Sequence, residues 1–427
     1  MSSPRRSLLG HPVMVGLLSL LAALEVAAIF TFCQQRTGQW DFSHYYVSSA
    51  AARMGINPYT NDLTPLASRL GLKIKEINHA TNPPSFVLAF EPLTLLRPIA
   101  AYWVWFSMNL SALALSLFIL LSGFPRERPL EVWSLAALSI IYPPVIDHFF
   151  FAQTQIFIML ILILMMTALR RGNDFAAGLL LAAASLLRIY PVIVIGYLAV
   201  TGQWRALIYT IIFGIIGVLL TASILGVDRT LSFIELFAFL TGPHWLGIPV
   251  NISLDAFISR MFWLAGSATA GLELVRKIMV ASAGILLLLV TVRVSMAEGK
   301  EDDTEWKFSL WVVEMVLLSP TAWPHYLIFL LIPFSRLVIW GRKNLVSPKT
   351  AWLGLISAAS VFVAFYGGAT ARASHLDFPA LVAQLLVCSS PLAYIALYSF
   401  GSDIAASRPP QPPRLVGRSQ VKAVYRA

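Results

Sequence analysis

ALIYTIIFGIIGVLLTASILG, residues 206–226, runs for 21 residues without a charged side chain. At about 1.5 Å of rise per helical residue, that length crosses the hydrocarbon of a bilayer. Similar apolar segments lie at 13–33, 99–122, 132–149, 153–169, 174–187, 190–201, 276–296, 308–320, 324–340, 350–368 and 378–400. They make about twelve candidate spans, several of them shorter than the ~20 residues a straight crossing needs. The pair 174–187 and 190–201 reads either as two segments or as one helix broken near Pro191. Of the 427 residues, 58% are hydrophobic and only 12% are charged, about half the share usual in a soluble domain. A water-soluble surface built from so few charges would expose large apolar patches. The pattern therefore predicts an all-α fold: a polytopic transmembrane helical bundle.

The net charge of +10 would point to nucleic acid in a soluble protein. Here much of the basic excess lies in short connections and in the C-terminal tail, which is how topology signals look, so no nucleic-acid partner is expected. Placing the N-terminus inside and alternating puts Arg5 and Arg6, Arg126 and Arg128, Arg170 and Arg171, Arg336 and Arg342 on the cytoplasmic side. Both termini are then cytoplasmic in a multi-pass protein of the cell membrane, with membrane lipids as its surroundings. The residues from Met1 to about Cys33 resemble a signal peptide, but the apolar run is long and leads into further spans, so an uncleaved first helix is expected. Cys33 and Cys388 are far apart and imply neither a disulfide framework nor a metal site.

Two long outer loops follow from this topology, at about 34–98 and 227–275. Within the first, Ser85–Leu96 is bounded by Asn82-Pro83-Pro84 and Arg97-Pro98 and is too short to span, so it reads as re-entrant or interfacial. Leu231–Leu240 in the second loop is also too short. Residues 1–400 form one membrane domain on this reading. The remainder, 401–427, is a basic, Pro-rich tail with no means of forming a core.

Polar residues at the outer helix ends carry the chemical information. Asp41 lies in Trp40-Asp41-Phe42-Ser43-His44-Tyr45-Tyr46, one helical turn from Tyr45. It reads in two ways: as the N-cap of a helix starting there, or as a general base held at the bilayer surface. Asn82, before two prolines, reads first as a helix break. Asp147 and His148 lie at the outer end of the third span, with Gln153 and Gln155 close behind. Arg188 precedes Tyr190-Pro191; it either snorkels to headgroups or holds an anion. Asn251 and Arg260 lie in the second outer loop, and His325 in the break Ser319-Pro320-Thr321-Ala322-Trp323-Pro324-His325. Glu25, Glu91 and Glu314 stand inside apolar runs. No P-loop, His-Glu-x-x-His or Gly-x-Gly-x-x-Gly motif supports nucleotide-driven chemistry or a metal.

Taken in order, these segments resemble glycosyltransferase family 87. The resemblance rests on Asp41-x-x-x-Tyr45-Tyr46, Gly55-x-x-Pro58-Tyr59, Pro83-Pro84, Ala152-Gln153-Thr154-Gln155, Arg188-x-x-Pro191, Asn251-x-Ser253-Leu254 with Arg260, and Ser319-Pro320-x-x-Trp323-x-His325-Tyr326. It covers about residues 13–335. The family usually has Gly-Gln-x-Asn where this chain has Ala152-Gln153-Thr154-Gln155. It often has lysine at the position of Arg188, and a second histidine at the position of Tyr326.

The resemblance implies a GT-C type bundle that moves a sugar, mannose foremost, from a polyprenyl-phosphate donor to a glycolipid or glycan acceptor at the outer face. It implies inversion, with Asp41 as base and His325 as a catalytic partner or acceptor guide. Arg188 and Arg260 would hold the donor phosphate, with Lys73 and Lys75 as weaker candidates. Tyr45, Tyr59, Asn82, Gln153, Asn251 and Trp323 would contact substrate. No cofactor and no metal is required. The competing reading is a transporter or lipid flippase, which broken helices and intramembrane carboxylates also fit; the paired halves typical of transporters are not visible in the sequence. A non-catalytic envelope scaffold, in which Asp41 is replaceable, is the third.

Overall fold

The computed structural model describes residues 8–35, 41–72, 74, 76, 77, 79–124, 128–240, 243–246, 251–264, 270–296 and 303–342. These form helices joined by short turns, with no strand among the described residues. In chain order they are α1 (Pro12–Gln35), α2 (Asp41–Arg53), α3 (Thr64–Arg69), α4 (Pro84–Phe90), α5 (Pro98–Leu121), α6 (Pro129–Ile140), α7 (Pro143–Phe151), α8 (Gln155–Arg170) and α9 (Asp174–Leu187). Then follow α10 (Ile195–Val200), α11 (Trp204–Leu225), α12 (Val227–Leu240), α13 (Pro243–Leu246), α14 (Leu254–Leu264), α15 (Ala270–Met296), α16 (Asp303–Leu317) and α17 (Leu331–Arg342).

Four helices are long and apolar enough to cross a membrane: α1, α5, α11 and most of α15. Only 11% of the apolar window of α1, α11 or α15 is buried against protein, whereas 39% of that of α5 is. Isoleucines and leucines on the exposed faces of the first three are suited to acyl chains, and α5 sits further inside the bundle.

The expected span at 132–149 is not one straight helix. Pro143 and Pro144 cannot supply the amide hydrogens that a continuing helix needs, so the chain breaks after Ile140 and α7 leaves α6 at 48°. The segment 190–201 also differs from a span. Arg188 is extended (φ −147°, ψ 140°), Tyr190–Val194 is a tight 3-10 turn, and α10 adds only 6 residues. The open question about 174–201 resolves as two elements with Arg188 at the junction. Pro324–Leu330 is a 3-10 segment that leads into α17. The expected spans 350–368 and 378–400, and the tail 401–427, lie outside the described residues.

The described residues of the first long loop form a small helical cap. Ten residues of α2 are buried, and Phe42, Tyr45 and Tyr46 pack with Phe86, Phe90, Tyr102 and Trp105 in one aromatic layer. Its apolar stretch after Pro84 is short, as expected: α4 followed by a 3-10 turn over Glu91–Leu95. Helix α8 separates the two ends of the bundle. Its 16 residues span about 24 Å, from Gln155 to Arg170. At the Arg170 end, Glu305 receives Arg170 and, at 2.6 Å, Arg336. The charge pattern placed both of these basic residues on one side.

Helices α9 and α11 make the most extensive helix pair, and Gly178 is the reason they approach so closely. A Cβ there would lie 2.4 Å from Cβ of Tyr209 and 2.7 Å from the Ala206 carbonyl oxygen. Those neighbours are too close to the backbone to swing away. Gly178→Val is therefore expected to destabilise the fold by about 3 kcal/mol. Thermal unfolding of purified protein in detergent checks this; a melting temperature equal to wild type would show that the two helices are not held at this distance.

Candidate active site

The end of the bundle opposite Glu305 gathers the polar residues read from the sequence. Helix α7 ends at Ala152, which adopts a left-handed conformation (φ 54°, ψ 46°). This conformation is unfavourable for any residue with a Cβ, by about 1 kcal/mol. The turn is pinned by Trp105, whose Nε1 donates to the Ala152 carbonyl at 2.9 Å, and by the Gln153 amide, which donates to the His148 carbonyl at 3.0 Å. It turns Gln153 back toward the first residue of α2.

Gln153 joins two of the named residues. Its Nε2 donates to Asp41 Oδ2, and its Oε1 accepts from the Tyr45 hydroxyl at 3.0 Å. Arg188 approaches from the end of α9. Its Nη2 donates to the Tyr45 oxygen at 3.0 Å, and its Nε to Thr154 Oγ1 at 2.8 Å. The guanidinium also lies 5.4 Å from the Phe86 ring centre and 5.6 Å from that of Tyr45, within cation–π range. Arg188 is half-buried, and these two hydrogen bonds turn its guanidinium toward Tyr45 and Thr154.

His325 arrives from the 3-10 segment after the Ser319–Pro320 break. Its Nδ1 lies 3.2 Å from Asp147 Oδ2, with both side chains only 7% exposed. A carboxylate only accepts, so Nδ1 carries the hydrogen and Nε2 faces away from Asp147. His148, next on α7, is held through Nε2 by Asn109 Oδ1 at 2.8 Å. Asp41 senses His44, His325, Arg188 and Asp147 electrostatically, which places these charges around one site. Burial raises the Asp41 carboxyl above its ordinary value, opposed by His44, His325 and Arg188. Partial solvent access at Asp41 limits that rise. Burial likewise pushes the Tyr45 phenol up, so it stays protonated and able to donate.

Of the four catalytic and phosphate candidates, three converge: Asp41, Arg188 and His325. The fourth, Arg260, lies on α14, and its side chain is outside the described residues, as are Lys73 and Lys75. The residues expected at substrate divide into two groups. Tyr45 and Gln153 are part of the network itself, and Trp323 is half-buried edge-on to Trp245 at 6.2 Å. Asn251, in contrast, is fully engaged by protein. It donates to the carbonyls of Trp245 and Pro320 and accepts from the amides of Ser253 and Ala322, tying the second long loop to the break before His325. Tyr59 is buried and donates to the Asn82 carbonyl at 3.0 Å. The Asn82 side chain is buried, with neither amide atom hydrogen-bonded among the described residues.

Thr154 and Asn109 were not singled out by sequence reasoning. Asn109, an amide inside an apolar span, did offer a signal. Thr154 offered none.

A family model described as glycosyltransferase family 87 matches residues 80–320, more than half of the chain. The chain belongs to glycosyltransferase family 87. It is thus a GT-C type membrane glycosyltransferase, and the transporter reading is not favoured. The matched region of this family-87 protein contains Gln153, Arg188, Asn251 and Arg260, with Asp41 before it and His325 just after it. A comparison with curated proteins found no match.

Proposed function

We propose that this family-87 enzyme transfers a hexose, mannose foremost, from a polyprenyl-phosphate donor to a glycolipid or glycan acceptor at the outer face of the cell membrane. The convergence of a carboxylate, Asp41, with a half-buried guanidinium, Arg188, supports this reading most directly. A single in-line displacement needs one base and one cationic site for the leaving group. The acceptor hydroxyl oxygen forms the new bond to the anomeric carbon while Asp41 takes its proton. The bond from that carbon to the phosphate oxygen breaks, and the phosphate leaves with the electron pair. Its extra negative charge falls beside Arg188, with Arg260 as the second cation of this scheme. His325, fixed by Asp147, orients the acceptor or, as the imidazolium, donates to the phosphate through Nε2. Substitution from the opposite side inverts the anomeric centre.

The lipid part of the donor needs an apolar path that starts near this site. A groove of 650 Å³ runs between α5 and α8, lined by Trp103, Val104, Met108, Leu115, Phe157 and Leu160. Phe157 packs on Trp105, whose ring meets Tyr45, so the groove begins beside the network. From Trp103 to Leu115 it follows α5 for about 18 Å, which suits several isoprene units. Basic connections at the Glu305 end support cytoplasmic termini and an outer active site.

The test is transfer in isolated membranes supplied with radiolabelled polyprenyl-phosphate mannose, followed by extraction of lipids and glycans. A labelled product that depends on the enzyme is the expected result. No label in any product would refute this donor.

A further inference from the structure

We propose that Gln153 is a positioning residue that couples the cation meeting the donor phosphate, Arg188, to the base, Asp41, through the Tyr45 hydroxyl. This deepens the function proposed above and rests on it. The direction of each hydrogen bond in the chain is forced by chemistry. Arginine only donates, so the Tyr45 oxygen accepts from Arg188 Nη2 at 3.0 Å. The Tyr45 proton is then left to donate to Gln153 Oε1, also at 3.0 Å. That fixes the amide so that Nε2 points to Asp41 Oδ2. One Asp41 oxygen is held as an acceptor, and the other remains to take a proton.

Aligned donors polarise one another, so the Arg188 charge strengthens the last bond and favours ionised Asp41. A phosphate seated on Arg188 would draw the guanidinium's charge toward itself, weaken that support and make Asp41 a stronger base. The base would then be most active when donor is present, a device that suppresses unproductive proton uptake. The left-handed turn at Ala152 fits this role, since strain of that kind is stored where a side chain must be aimed. Other groups also face Asp41: His44 on its own helix, His325 and Tyr326 on the 3-10 segment, and Asp147 on α7. All of them remain in the variants below, so a change there reports the chain through Gln153.

The experiment compares wild type, Gln153→Ala, Tyr45→Phe and the double variant. Two readouts are taken between pH 4 and pH 9: the rate of mannose transfer, and carbodiimide labelling of Asp41 followed by peptide mass spectrometry. Loss of the donor from Gln153 removes a bond that favours the ionised carboxylate. The acid limb of transfer and the labelling midpoint should therefore both move up by about one pH unit, with rate recovered at high pH. Tyr45→Phe removes one oxygen and keeps the ring packing. It frees the amide to turn over and should give a smaller shift of the same sign. The double variant should match Gln153→Ala alone, because both act on one chain. An unmoved acid limb and labelling midpoint, or shifts that add in the double variant, would overturn the coupling. If wild type transfers no mannose, the proposed function fails instead, and the labelling still decides whether Gln153 and Tyr45 act on Asp41.

Discussion

Asp41→Asn, in membranes containing wild-type amounts of protein, is expected to transfer sugar at a rate lower by about two to four orders of magnitude. The substitution keeps the size and the acceptor oxygen facing Gln153, and removes only the ability to take a proton. Stability serves as the control, because its sign is opposite. Burial raises the Asp41 carboxyl above its unfolded value, so between those two values the folded protein binds more protons than the unfolded chain. Stability contributed by this group is therefore present at low pH and lost as pH rises through that window. Removing the charge should leave the variant at least as stable as wild type at neutral pH. The same shift predicts that wild-type transfer falls with acid at a pH above the ordinary carboxylate range. A variant as active as wild type would remove Asp41 from the mechanism. A variant that is inactive but also unfolded by circular dichroism would not fit a role confined to chemistry.

Arg188→Gln is the second large effect, with an expected loss of about a hundred- to a thousand-fold in transfer. The glutamine retains hydrogen-bonding capacity toward Tyr45 and Thr154 but has no charge for the departing phosphate. Arg188→Lys should lose only about tenfold. It keeps the charge, although one ammonium replaces a fork that now reaches Tyr45 and Thr154 together. Measuring the rate at saturating donor, and then its dependence on donor concentration, separates the two contributions. A phosphate clamp used mainly at the transition state lowers the maximal rate more than it weakens donor binding. If glutamine and lysine behave alike, charge at Arg188 is not what the leaving group uses.

Much of the fold is legible in the sequence because bilayer thickness leaves few options for an uncharged run such as 206–226. The helices α1, α5, α11 and α15 agree with the runs that predicted them to within a few residues. Agreement is poorer where proline interrupts an apolar run. At 132–149 the hydropathy continues across Pro143-Pro144 while the backbone turns by 48°, since hydropathy reports where a segment is comfortable and not whether its hydrogen bonds continue. At 190–201 the same confusion arises from Pro191.

The sequence by itself determined that this is an α-helical membrane protein of glycosyltransferase family 87. It also determined that the residues to watch lie at helix ends, because a polar group close to lipid persists only with a partner. Which partners they have was decided by the tertiary structure alone. Gln153 is 112 residues from Asp41, and Arg188 is 143 from Tyr45. No periodicity links positions so far apart; only the packing of α2, α7 and α9 brings them together. The same packing separated two asparagines that the motifs treated alike. Asn251 has every amide position occupied by loop backbone, whereas the Asn82 side chain has none occupied among the described residues. A residue's type fixes what it is able to bond. Its neighbours, set by the folded chain, decide what it bonds.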